Sequence, residues 1–327
     1  VWLIQPISLK SSLLQQSVTT SKSILDRAMS KYRNIQGIVL LDKPLHLSSN
    51  DALQVVKRLF NAKKAGHTGS LDPLASGLLV ICFGEATKVT SFLLDATKRY
   101  VVRAKLGQKT ETADAEGAVI SERPVEAYTE AKIAEVVKSF TGELQQIPPM
   151  YSALKHKGER LYRLARQGIE VERPPRYLTI YKLTVLDRTE DTIQLDVTCS
   201  KGTYIRTLVE DIGEALGCGA HTIELHRVGV GPFQDESQFH TLDDLRGMRE
   251  RDESLDSLLL PMELALADLP KVDLSSDMAF YMKQGQPVQI ANAPTAGLVR
   301  MFGVDEFIGV GKILSDGRVA PKRLLRT

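Results

Sequence analysis

Strand-length apolar runs and helix-period segments follow one another along this chain without a fixed repeat, and that irregularity is what most limits its fold. "GIVLLDKP", Gly37 to Pro44, is a short apolar run stopped by Lys-Pro, and "LLVICFG", Leu78 to Gly84, is another bounded by glycines. Both read as strands. Between them "SSNDALQVVKRLF" offers Ser49, Asn50 or Asp51 as an N-cap and sets Leu53, Val56, Leu59 and Phe60 at helical spacing. "EATKVTSFLLDA" reads as amphipathic helix, "KRYVVRAKLG" as an alternating strand, and "TEAKIAEVVKSFTG" as a helix closed by glycine. The segment from Tyr177 to Gly217 reads as two or three strands and then a helix, with "TYIR" taken as strand. Such a mixture, lacking a regular strand–helix–strand unit, predicts an α+β fold: a mixed, mostly antiparallel sheet with flanking helices.

Size and cysteine usage narrow the class further. With 327 residues, 43% of them hydrophobic, the chain can build one large domain and a smaller one. Past about Leu255 the pattern shifts to short strands and turns, so residues 256–327 are expected to form a small β-rich module. Three scattered cysteines without a CxxC pair argue against a disulfide framework or a cysteine zinc site, and for a reducing cytoplasm. No apolar run reaches the roughly 18–20 residues that span a bilayer. The first 28 residues precede an ordinary-looking start at Met29. They are expected to be an upstream or vector-derived extension without fixed order, the alternative being a native arm. The formal net charge is only +2, so nucleic-acid binding would have to come from local basic patches.

One loop concentrates the candidate chemistry. "AGHTGSLDPLASG", Ala65 to Gly77, sets His67 and Thr68 between glycines and follows Asp72 with Pro73. Asp-Pro is a strong helix start, with aspartate as N-cap and proline at N1. A loop with this much backbone freedom can also approach a ligand closely, and the two roles are compatible. If "TYIR" is a strand, Tyr204 and Arg206 share a face and could stack on a base and hold a carboxylate or phosphate. Otherwise they are the polar side of a half-exposed strand. From Lys155 to Arg176 the chain carries seven lysines and arginines against three glutamates, with Arg160, Arg163 and Arg166 recurring every three residues. That spacing lays them along one helix side, as a solvated face or a phosphate-tracking one. Lys57, Arg58, Lys63 and Lys64 form a second patch. No P-loop, GxGxxG or GxSxG is present, and His67, His221 and His226 lack metal-ligand spacing with the cysteines. A cofactor-free and metal-free reaction fits best.

The runs "LLDKPLHLSSND", "AGHTGSLDPLASGLLVICFGEATK", "KRYVVRAKLG", "IPPMYSALKHKGERLYRLARQGIEV" and "CSKGTYIRTLVEDIGEALGCGAH" closely resemble the bacterial TruB-type tRNA pseudouridine synthases. The match runs in order from about Ile35 to the C-terminus. The resemblance implies isomerisation of one uridine in the T-loop of tRNA, with the base flipped and no cofactor. It implies that Asp72 is the catalytic carboxylate and that Arg206 pairs with it. By the same likeness Tyr100 stacks on the base and helps take the C5 proton, and Tyr204 shapes the pocket. His67 would fill the space left by the flipped base, and Lys43, placed among the RNA-contacting residues, would with Pro44 support the loop. Residues 29–255 would be the catalytic domain, with an RNA-clamping insertion at about 145–176 that brings Lys155, Arg160, Arg163 and Arg166 to the RNA alongside Lys64. Residues 256–327 would be a PUA-like module with Arg318, Lys322, Arg323 and Arg326 at phosphates. The expected partner is the tRNA T-stem-loop, bound by a monomer with no membrane association. An RNA-folding protein in which catalysis is secondary is the alternative, and retention of Asp72, Tyr100 and Arg206 favours the enzyme.

Overall fold

The structure, a computed structural model, describes residues 32–304 and 306–325; the expected extension at 1–28 and Arg326 lie outside the described residues. The large sheet takes in β1 (Gly37–Lys43), β2 (Ala65–His67), β3 (Ala75–Phe83) and β4 (Lys98–Leu106). A hairpin of β5 (Gln108–Thr110) and β6 (Val119–Glu122) follows, then β7 (Gly142–Gln146) and a second hairpin of β8 (Lys155–His156) and β9 (Glu159–Arg160). β10 (Arg176–Arg188), β11 (Thr192–Cys199) and β12 (Ala220–Val230) complete the sheet in the order β1-β3-β12-β4-β11-β10-β7, with β2 paired to β3. Every neighbouring pair is antiparallel except β12 with β3, which run parallel over Leu225↔Ala75 to Arg227↔Gly77. The expected mixed, mostly antiparallel sheet is therefore present.

Helices α1 (Ser49–Leu59), α2 (Thr90–Asp95), α3 (Glu130–Ser139), α4 (Leu161–Arg166), α5 (Ile205–Leu216) and α6 (Leu242–Glu250) flank it. β1 and β3 read as unbroken apolar runs because both of their faces are covered. Leu79, Ile81 and Phe83 pack beneath α1 and α6, while Leu78, Val80 and Cys82 join a second core with Val89 and Leu93. Across the sheet α5 buries Leu208, Val209, Ile212 and Leu216 beside Val102 and Leu195. Each such side chain contributes about 1.5–3 kcal/mol on burial. Gly213 lets α5 lie on β12: a Cβ there would stand 2.2 Å from the Ala220 amide nitrogen, so Gly213→Ala would force the helix off the sheet.

The last strands, β13 (Lys271–Asp273), β14 (Leu298–Phe302), β15 (Phe307–Ile313) and β16 (Val319–Leu324), form a separate sheet. Its core holds Val272, Met282, Val299 and Met301, and Val310 reaches into the core under β1 and β3. Part of the expected β-rich tail is helical: α7 (Ser276–Lys283) is capped by Ser275. Leu255 and Leu266 pack into the cores of the large sheet, and Leu260 bridges to Ile38, so the small sheet's own packing begins only near Lys271.

Several local expectations give way to tertiary context. The cap of α1 is Ser48, whose hydroxyl accepts from Asp51 N at 3.1 Å. "EATKVTSFLLDA" splits into a 3-10 turn over Gly84–Lys88 and the short α2. "TYIR" is not a strand: Tyr204 is the N-cap of α5, and Ile205 and Arg206 lie in its first turn. Strand-favouring Thr, Tyr and Ile lose here because helix geometry buries Ile205, Leu208 and Val209 together. Asp72-Pro73 does not start a helix either. Ala75 N donates to Asp72 O at 3.0 Å, closing a turn with Asp first and Pro second, and β3 follows. The same dipeptide suits both structures, and the doubly covered apolar run behind it decides for the turn. Arg160, Arg163 and Arg166 do not line one helix side, because Arg160 is the N-cap residue on β9 and α4 spans only six residues.

Candidate active site

The parallel junction of β3 and β12, with β4 alongside, leaves room for a cavity of about 270 Å³ at the mouth of the Asp72 loop. Asp72, Tyr100, Tyr204 and Arg206, drawn from three separate segments, all line it. Gly77 makes the junction possible: it has φ +95°, and a Cβ would meet the Arg227 carbonyl at 2.4 Å. The loop is pinned one residue before Asp72. Ser49 Oγ donates to Leu71 O at 2.9 Å and accepts from Leu71 N at 2.7 Å.

Arg206 sits at the centre of the polar network. Its guanidinium lies 2.9 Å from Asp72 Oδ2 and 3.2 Å from Asp114 Oδ2, and donates to Thr112 O at 2.7 Å and Tyr151 O at 2.8 Å. The side chains of Arg206 and Asp114 are 5% and 4% exposed, whereas Asp72 is 44% exposed. Asp114 therefore supplies the buried counter-charge, and Asp72 keeps oxygen surface free toward the cavity. Planar, multi-donor arginine suits this better than lysine would.

Tyr100 on β4 stands directly across from Arg227 on β12. Burial raises its phenol pKa, and Arg227 pulls it back. Tyr204 is held by its backbone: Gln146 Oε1 accepts from Tyr204 N at 2.8 Å and Gln146 Nε2 donates to Tyr204 O at 3.1 Å. Burial raises the Tyr204 phenol pKa as well. Lys98 points its ammonium into the carbonyls of Leu93, Leu94 and Ala96, and burial followed by Arg227 pulls it down to about 8.

His67 is on β2, paired with Ile81, and does not line the cavity. It is half-buried with an unpartnered Nδ1, and burial, then Arg227, lowers its pKa, which keeps the ring neutral near pH 7. Lys43 corrects the expectation of an RNA contact. It is 0% exposed, and its Nζ donates to Pro44 O and Leu47 O at 2.7 Å each. Burial takes it down to about 8, with Asp72 opposing the shift. It braces the neighbouring loop and cannot reach a phosphate.

The basic residues lie outside this core. Lys64, Lys155, Arg160, Arg163 and Arg166 are exposed, and Arg166 lies 5.7 Å from the Tyr162 ring centroid. Their segment leads away from the cavity, since Ser152 and Ala153 still line it. In the small sheet Arg318 is paired with Asp316, while Lys322 and Arg323 line a groove beside α2. Asp114, Lys98 and Arg227 went unmarked by pattern. Asp114 sits in the polar run "TETADAEG", where nothing local announces burial. Arg227 carried one usable signal, two residues past Leu225 on a strand and so on the same face. Among the described residues no group of three or more His, Cys, Asp or Glu is placed to hold a metal, and no helix is long and apolar enough to cross a membrane.

Residues 57–205 match the model of the TruB family pseudouridylate synthase N-terminal domain. Residues 206–267 match the tRNA pseudouridylate synthase B C-terminal domain, and residues 270–325 match the pseudouridine synthase II TruB C-terminal model. A tRNA pseudouridine synthase B of Yersinia pestis (strain Pestoides F) is 54% identical over 311 residues, 92% of this chain and 95% of that protein. One from Coxiella burnetii (strain Dugway 5J108-111) is 54% identical over 299 residues, 90% and 96% of the two chains. A solved H/ACA ribonucleoprotein bound to a substrate RNA containing 2′-deoxyuridine superposes with TM-score 0.68 at 27% identity, covering 89% of this chain and 85% of that one.

Proposed function

The chain belongs to the TruB family of pseudouridine synthases, and from that premise we propose that it isomerises one uridine in the T-loop of tRNA to pseudouridine. The observation that carries this reading is the Asp72–Arg206–Asp114 network. A carboxylate is held open to the cavity by an arginine whose charge a second, buried carboxylate balances. Detaching uracil from C1′, turning it and rejoining it through C5 needs one oriented carboxylate and a pocket for a flipped base. Asp72 either bonds covalently to the nucleotide or removes the C2′ proton to give a glycal. Tyr100 lies against the base and takes the C5 proton after rejoining, Tyr204 shapes the pocket, and His67 fills the gap in the RNA. Inserting a neutral ring lowers the cost of extrusion, typically a few kcal/mol.

The same reading makes residues from about 145 to 176 a clamp on the T-stem-loop, its exposed arginines tracking phosphate, and residues 256–327 a PUA-like RNA-binding module. The protein acts as a monomer in the cytoplasm, its three buried cysteines free. The test is incubation with a T-stem-loop transcript followed by chemical mapping of pseudouridine. Product is expected with the target uridine and none when it is replaced by cytidine. No product from the uridine transcript overturns the proposal.

A further inference from the structure

Arg227 is among the most enclosed charged side chains of the described residues, at 1% exposure, yet its hydrogen bonds run to neutral groups. Its Nε donates to Leu78 O at 2.7 Å and its terminal nitrogen to Gly69 O at 3.1 Å. A buried guanidinium whose hydrogen-bond partners are all neutral is costly unless a negative charge develops beside it. The antiparallel register places Tyr100 directly across from it, and both line the cavity. Cross-strand neighbours of this kind have Cβ atoms about 5 Å apart. The β12 register shifts immediately after Arg227, an irregularity that re-aims side chains near functional sites. One side chain thus joins the Asp72 loop through Gly69, β3 through Leu78 and β4 through Tyr100.

We propose that Arg227 is a positioning residue for proton removal from C5: it fixes the Tyr100 hydroxyl beside the Asp72 loop and stabilises that oxygen as an anion. The inference rests on the reading of Tyr100 given above. Once C5 is bonded to C1′ it still carries its hydrogen. The phenolate oxygen takes that proton, and the C–H electron pair forms the C5=C6 bond as the C6=N1 pair moves onto N1. N1 takes a proton from water, and the phenol afterwards returns its own proton to water. Burial opposes the anion, and Arg227 is the first of the groups that favour it.

The experiment is single-turnover conversion of a T-stem-loop RNA with protium or deuterium at C5 of the target uridine, measured across pH. Arg227→Gln removes the charge and should slow product formation about 100-fold. Its deuterium effect should rise, and its rate should go on climbing to higher pH than in the wild type, with RNA affinity within about threefold. Arg227→Lys restores charge but not the fork, so it should recover part of the rate and keep a raised deuterium effect. In a Tyr100→Phe background the Arg227 substitutions should cost nothing further. A folded Arg227→Gln with wild-type isotope effect and pH profile overturns the proposal, however slow it is. If that variant does not fold, the same wild-type pattern in Arg227→Lys overturns it. A wild-type protein that makes no pseudouridine, or a Tyr100→Phe variant at full rate, would instead defeat the reading on which the inference stands.

Discussion

Arginine is used in two opposite ways on either side of the cavity. Arg206 and Arg227 are 4% and 1% exposed, and carboxylates or carbonyls fix their guanidinium groups. Arg160, Arg163 and Arg166, on the hairpin and short helix leading out from Ser152, are exposed. Burial converts an arginine into a geometric part, because each of its donors must be satisfied by a particular atom. Exposure leaves it a mobile charge, worth little to stability and useful chiefly for the counterions it would release from RNA phosphates. The inner set should therefore govern rate and folding, and the outer set affinity and its salt dependence.

The sharpest way to break this division is Asp72→Asn. It should bind T-stem-loop RNA within about twofold of the wild type but lose more than about 1,000-fold in single-turnover product formation. Wild-type product would remove the inner region's claim to the chemistry. Next in size is Asp114→Ala, which leaves Arg206 without its buried counter-charge. Urea unfolding should show a loss of about 3 kcal/mol, with a fall in rate because Asp72 is no longer held. An unchanged midpoint would mean that the network is not what orders the site.

Turning Arg160, Arg163 and Arg166 to glutamine tests the other side. Stability should stay within about 0.5 kcal/mol, while the slope of log affinity against log salt should shrink by about 2 to 3. An unaltered slope would make the hairpin and helix a merely solvated face. The smallest effect is expected at Glu214, eight residues past Arg206 on α5. Hydrogen bonds from Arg123 and then Lys109 hold its carboxyl down to about 2. Because the folded value lies below the unfolded one, this contribution is present above pH 4.5 and fades as pH falls toward 2. With Glu214 41% exposed it should amount to less than about 1 kcal/mol. Acid unfolding curves of the wild type and Glu214→Gln should converge at the low end; a constant gap would contradict the assignment.

Much of the site was legible before any fold was known, and some of that legibility was accidental. "TYIR" drew attention to Tyr204 and Arg206 through a shared strand face that does not exist, since both lie at the start of α5. The pair nevertheless reaches the cavity, because the first turn of α5 lies beside Gln146 and the Asp72 loop. Lys43 shows the reverse failure. The resemblance sets it among the RNA contacts, while its place at the end of β1 buries it completely. Asp114 was invisible, and Arg227 nearly so, for a single reason: charge is written in the sequence, and burial is not.

By itself the sequence determined the local alphabet of this protein. Apolar runs marked β1 and β3, glycines marked the turns, and an Asp-Pro pair among glycines marked the loop but not its turn; each follows from short-range sterics and periodicity. Only the tertiary structure decided which charges face one another. Thr112 and Asp114, Tyr151, Arg206 and Asp72 come from segments with no local reason to meet. They meet because β3 and β12 pack in parallel and α5 lies on the sheet, and a buried guanidinium is tolerable only where such partners converge.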